Sequence, residues 1–364
     1  MKERIINFFT RILTFFLSAF FIFSTTNQEV KPVQPENESS MKLAVALMAD
    51  VHMEGNCLPR FDLTKTAMKN LAGSKDWLDA LVLLGDNTMN GQEGEYDLLY
   101  SMLDNINPIR PYYLICGNHD VGNSADADYE TLIGRFTFYL QSYVDKNIDK
   151  AYYAKDVNGY KMIFLAPDNA EVNGRFFSDA QLDFLEAELN KAKESGKPVF
   201  VFNHHPSNNI DDACYDRFID LMNSYDKIFF IVGHMHYYWR FKTVPGEMNT
   251  PEIWVPNFGH LADDDTRIDE QSGRGYVMEV FDDSVAFRAF NFYTNSYFGV
   301  NDRTYSLTGD VIDDEDLKPI DWPVIDPPIV IDPPIIVDPT ITDDPVLPPA
   351  VGGTAAEEPA PEAA

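Results

Sequence analysis

The chain has 364 residues, with 58 acidic against 28 basic side chains and a formal net charge of −30. That balance argues against a polyanionic partner, whether nucleic acid or an anionic membrane surface, because such binders present basic patches. The length suffices for one large domain or two ordinary ones with an ample core, and the three cysteines, Cys57, Cys116 and Cys214, are too irregularly spaced for a disulfide framework.

Residues 1–26 carry Lys2, Arg4 and Arg11, then an apolar stretch from Ile12 to Phe23, then small polar residues. This is the layout of a secretory signal peptide. The stretch is short against the roughly 20 residues that a spanning helix needs. A secreted or envelope-associated protein is expected, touching a membrane only through this segment if it stays uncleaved as an anchor. Residues 27–41 read as a linker.

Residues 42–310 read as one domain. Six apolar runs in it have the character of buried strands: 42–49, 80–85, 111–117, 161–166, 198–203 and 227–233. Helical patterns lie between them, which points to an α/β domain. The clearest helix spans Ser178 to Glu194, with Ser178 and Gln181 in a capping-box pattern, an apolar stripe of Leu182, Leu185 and Leu189, and Gly196 past the end. Asn158-Gly159 predicts a tight hairpin turn. The later runs EIWVPNF, GYVMEVF and SVAFRAFNFY suggest a second set of mostly antiparallel strands.

Residues 311–364 read as an acidic, proline-rich tail. The stretch from Trp322 onward holds 11 of the 23 prolines, and proline removes backbone donors and fixes φ, which bars it from a sheet interior. An extended polyproline-like segment without a part in the chemistry is expected. The charge is −13 over residues 310–364 and +2 over residues 1–26, which leaves −19 between them.

The polar residues that follow the strands carry the functional signal. Asp50-Val51-His52 follows the first run, Gly85-Asp86-Asn87 the second and Gly117-Asn118-His119-Asp120 the third; Asn203-His204-His205-Pro206 and Gly233-His234-Met235-His236 follow the last two. Six of the seven histidines lie in these blocks. Alternation along a strand would aim His234 and His236 at one point just past its end. In open α/β sheets, ligands bind outside the carboxyl ends of the strands. Asp, Asn and His are donors for Mn, Fe, Zn or Ni, the absence of cysteine argues against a structural zinc site, and the donors are too many for one ion.

The ordered series DxH, GDN, GNHD, HH and GHxH resembles the calcineurin-like metallophosphoesterase family over about residues 42–295. The resemblance implies a four-layer α/β/β/α sandwich of two mixed sheets flanked by helices. It implies two divalent transition-metal ions, one held by Asp50, His52, Asp86 and His236, the other by Asp86, Asn118, His204 and His234, with Asp86 bridging. His204 is favoured over His205 as the ligand, because the family's ligand stands two residues before the proline. His119 would steady the phosphate or protonate the leaving oxygen, with Asp120 orienting it. The purple acid phosphatase branch is disfavoured, since it has glycine where His52 stands and a metal-binding tyrosine where Met89 stands. His260 falls outside the pattern, as a loop residue or a substrate-edge contact.

The reaction so implied is hydrolysis of small phosphomonoesters or phosphodiesters by a water activated between two metals. A nuclease of the same fold is the first alternative, weakened by the acidic charge. A non-catalytic envelope-associated binding protein is the second, disfavoured by the intact ligand set.

Overall fold

All six apolar runs are strands in the computed structural model, which describes residues 40–312 apart from 75–76, 123–127, 170–175, 237–239, 245–247, 263–264 and 299–301. They are β1 (Leu43–Met48), β2 (Ala80–Leu84), β3 (Tyr112–Ile115), β5 (Tyr160–Phe164), β6 (Val199–Phe202) and β7 (Ile228–Val232). β4 (Tyr153–Val157) joins β5 through Asn158-Gly159, both in left-handed backbone with φ of 51° and 78°, as a type I′ turn requires. The expected signal segment and nearly all of the expected tail lie outside the described residues. Among the described residues, no helix is long and apolar enough to cross a membrane.

The later strands are β8 (Arg240–Val244), β9 (Met248–Trp254), β10 (Arg274–Val280), β11 (Ser284–Asn291), β12 (Ser296–Tyr297), β13 (Arg303–Ser306) and β14 (Val311–Ile312). One sheet runs β14-β13-β11-β10-β1-β2-β3, with β12 beside β11; the other runs β4-β5-β6-β7-β9-β8. Both are mixed. β1, β2 and β3 are mutually parallel, as are β5, β6, β7 and β9, while the outer strands pair antiparallel. The EIWVPNF run meets expectation on one side only, because β9 lies antiparallel to β8 but parallel to β7. The sheet also passes the expected boundary at residue 310, since β14 pairs with β13.

The helices are α1 (Leu58–Ala72), α2 (Glu93–Asn105), α3 (Tyr129–Tyr139), α4 (Asp179–Ser195) and α5 (Asp212–Met222). Alternation in the second sheet separates two apolar layers. Phe200, Phe202, Phe229 and Ile231 pack toward β1, β2 and β3. Val199, Val201, Phe230 and Val232 pack with Leu182, Leu185 and Leu189 of α4. The result is the four-layer α/β/β/α sandwich.

α4 starts where expected, with Ser178 Oγ accepting from the Gln181 amide and Gly196 left-handed past its end. The capping box is only half formed, because the Gln181 side chain bonds both the amide and the carbonyl of Ala166. The Ser178 amide is taken by Asp168 instead. A complete box caps α2, where Glu95 accepts from the Gln92 amide.

Candidate metal centre

The five polar blocks follow β1, β2, β3, β6 and β7 and converge at one end of the sandwich. The backbone there is unusual. Asp50, His52, Asp86, His234 and His236 all stand in left-handed backbone, with φ of 57°, 50°, 47°, 68° and 50°. Such φ values are uncommon outside glycine and cluster at functional sites. The turns bring β1 and β2 into register past their ends, with the His52 amide donating to Asp86 O at 2.8 Å. They also let two glycines approach the donors closely. A Cβ on Gly117 would sit 2.1 Å from Asp86 Oδ1, and one on Gly85 would sit 2.5 Å from His204 Nδ1.

Two groups of donor atoms result. Asp50, His52, Asp86 and His236 form one; His204, His205 and His234 form the other. In the first, His236 Nε2 lies 3.2 Å from Asp50 Oδ1 and 3.3 Å from His52 Nε2. Asp86 reaches toward both groups, with Oδ2 4.0 Å from His52 Nε2 and 3.2 Å from His204 Nε2. Two donors each about 2.1 Å from one ion, at tetrahedral to octahedral angles, stand roughly 3.0–3.4 Å apart, so the separations of 3.2 and 3.3 Å fit ligation while the 4.0 Å from Asp86 to His52 is longer. Two imidazole nitrogens facing each other also call for a proton or a cation between them. Asp50, Asp86 and His204 are buried, while the His236 side chain is 47% exposed, so the first group opens to solvent on that side.

The donor rings are aimed by backbone. His204 Nδ1 donates to Leu84 O at 2.7 Å, which presents Nε2 to the site. His234 donates its amide to Asp50 Oδ2 at 3.2 Å, and His119 donates its amide to Asp86 Oδ1 at 2.8 Å. Burial alone would raise the Asp86 carboxyl, but His204, His52 and His119 hold it well below the usual range. Asp50 is lowered in the same way, burial being outweighed by His236 and His204. Burial pulls His52 down to about 4, so its imidazole is neutral at ordinary pH. Burial would lower His204 too, yet Asp86 lifts it to about 9. A cation would replace that proton in neutralising the carboxylates.

His119 packs its ring edge-on against His52, with centroids 4.6 Å apart. Its orienting partner is not the expected one: Nδ1 donates to the Met89 carbonyl at 2.8 Å. Asp120 has both oxygens committed to six other bonds. Oδ2 accepts from Asn87 N, Asn87 Nδ2 and Gly117 N. Oδ1 accepts from Thr88 N, Thr88 Oγ1 and Tyr96 OH. Asp120 therefore fastens the loops that carry Asp86 and Asn118, and acts on His119 through the backbone. His234 and His236 fall in the separate groups that the resemblance implies, and not at the one point that strand alternation predicts. They lie past the end of β7 and serve different groups, because left-handed backbone replaces strand alternation. Asn118 is buried beside these loops. His260 faces Asp269, its Nε2 3.7 Å from Oδ2. Sequence reasoning missed the Met89 carbonyl, which no side chain could signal; His205, weighed below His204, lies in the second donor group beside it.

A donor cluster at the strand ends of an α/β sandwich defines a protein with a metal-type site. The sequence matches the calcineurin-like phosphoesterase family over residues 43–238, and the chain belongs to that family. No curated protein sequence matches it. Among solved structures it is similar to a purple acid phosphatase from yellow lupin (Lupinus luteus) seeds, with a TM-score of 0.52 and 13% identity over 72% of this chain and 53% of that one. The chain thus spans about half the length of the lupin protein. It is also similar to GAP50, the anchor in the inner membrane complex of Plasmodium, with a TM-score of 0.46 and 13% identity over 74% of this chain and 89% of that one. Vps29 of Cryptosporidium parvum gives 0.32 and 12% over 72% and 97%. These likenesses concern the fold. At Met89, where the purple acid branch has its tyrosine ligand, this chain contributes a backbone carbonyl to His119.

Proposed function

We propose that the protein is a phosphoesterase that hydrolyses small phosphomonoesters or phosphodiesters with two divalent cations. The observation that carries this reading is the place of Asp86, whose Oδ2 lies between His52 of one donor group and His204 of the other. Asp50, His52, Asp86 and His236 would hold one ion; Asp86, Asn118, His204 and His234 would hold the other. When bound, such a pair makes a water acidic enough to attack phosphorus near neutral pH and offsets the charge of the ester oxygens.

The chain's own groups supply the rest. The bond from His119 Nδ1–H to Met89 O fixes the tautomer, so Nε2 is the nitrogen that meets the substrate. It can donate to a phosphate oxygen or to the leaving oxygen once protonated. Asp120 keeps the neighbouring loops in register. The formal charge of −30 favours small esters over a nucleic-acid backbone.

The test is metal content together with turnover. Wild-type protein loaded with excess manganese or zinc is expected to retain two ions per chain and to hydrolyse an aryl phosphate. Asp86→Ala is expected to lose tight binding at both positions. A folded Asp86→Ala protein that keeps two ions sinks the bridging role, and a two-ion wild type inert toward a panel of phosphate esters sinks the enzymatic reading.

A further inference from the structure

We propose that His205 is a ligand at the second metal position, aimed there by a buried clamp built from Asn203, Ser207 and Glu252. The proposal rests on the two-ion reading above and adds a donor to it. His204, His205 and His234 each present a ring nitrogen, and the three lie within 4.8 Å of one another. The His205 ring centroid is 4.1 Å from that of His234 and 4.8 Å from that of His204, and His205 has no exposed surface. A convergence of three imidazoles, two of them wholly buried, is the donor chemistry of zinc, copper, nickel or iron.

The clamp explains the aim. Asn203 Nδ2 donates to the His205 carbonyl at 2.7 Å. Two residues further on, Ser207 Oγ donates to Glu252 Oε2 at 2.5 Å, and the Trp254 indole donates to Glu252 Oε1 at 2.6 Å. Glu252 is wholly buried on β9, opposite Phe230 of β7. One carboxylate therefore ties the loop that carries His205 to the strand beside the one that leads to His234. A carboxylate placed between a sheet and its helices is costly to bury, and two donors offset that cost only in part. Its presence is accounted for by the loop it positions.

The two positions then differ in chemistry. The first has two carboxylates and two imidazoles, which suits manganese or iron. The second is imidazole-rich, which suits zinc, copper or nickel.

The experiment titrates metal-free wild type, His205→Asn and Ser207→Ala with zinc, reading affinities by calorimetry, stoichiometry by elemental analysis and folding by circular dichroism. Wild type is expected to bind two ions. In His205→Asn the first ion should bind as in wild type while the second weakens by more than about a hundredfold. Ser207→Ala removes the tie without touching a ligand and should weaken only the second ion, by about 10–100-fold. A wild type that binds fewer than two ions sinks the two-ion reading, and the role of His205 with it. Two ions in wild type and unchanged affinities in both variants overturn the His205 assignment alone. A weakened His205→Asn beside an unchanged Ser207→Ala supports the ligand and rejects the clamp. Should His205→Asn fail to fold, His205→Gln takes its place with the same expectations, and an unchanged second affinity in that variant overturns the His205 assignment.

Discussion

His119 stands beside the donor groups without belonging to either. Its ring is edge-on to His52 and its Nδ1 is fixed on a backbone carbonyl. His119→Asn should therefore leave the retained metal unchanged. Positioned proton transfer contributes about a hundredfold to ten-thousandfold, so turnover should fall within that range. The loss should be small for aryl phosphates with acidic leaving groups and large for alkyl phosphates. Equal loss on both would leave orientation of the phosphate as the role, and loss of metal would reject both roles. At this scale the sequence pointed to His119 with Asp120 as its partner, whereas the structure gives its Nδ1 the Met89 carbonyl. A motif specifies side chains, whereas the group that orients His119 is the carbonyl of Met89.

The strand ends and the glycines after them form the next scale, because the site is assembled where elements stop. Gly117 follows β3 and packs directly on Asp86, with no room for a Cβ. Gly117→Ala should displace the Asp86 loop and abolish metal retention while the sheets stay folded; elemental analysis beside circular dichroism reads both, and full metal retention would show that the loop yields. β10 carries a different device. Burial raises Glu279 to about 7 against the opposing pull of Arg288, whose Nε lies 3.5 Å away. A carboxyl raised in the folded state binds more protons there than in the unfolded chain. Its stabilising contribution is present below about pH 4.5 and is lost as pH rises through about 7. Glu279→Gln should thus gain on wild type between pH 5 and pH 8.5, by up to about 3 kcal/mol. Urea unfolding at the two pH values checks the sign, and a flat or reversed difference rejects it.

For the whole molecule, the charge is the widest feature. Residues 310–364 contribute −13 of it and hold none of the proposed ligands. Deleting residues 319–364 should leave kcat on a small ester unchanged. It should raise kcat/KM modestly at low ionic strength, an effect that fades at about 0.15 M salt, where the Debye length is about 8 Å. A steady-state comparison of the two chains at low and physiological salt reads this, and a large fall in kcat would place the tail in the site. The fold was legible at this scale because its cues are local. Apolar runs such as ALVLL and VFVF gave strands, and Asn158-Gly159 gave its hairpin. The half-formed box at Ser178 was misread because Ala166, remote in sequence, offered Gln181 two backbone groups.

By itself, the sequence located the six apolar-run strands and the helix from Ser178, because each depends on residue type within a few positions, and through the resemblance it raised the seven proposed ligands. Tertiary structure alone decided the rest: the left-handed turns that aim five of the donors, the commitment of Asp120 to the Asp86 and Gly117 loops, and the company His205 keeps. Those outcomes depend on which strands become neighbours and on backbone atoms meeting across more than a hundred residues, as Leu84 O meets His204. A pattern of side-chain types along the chain does not record such meetings.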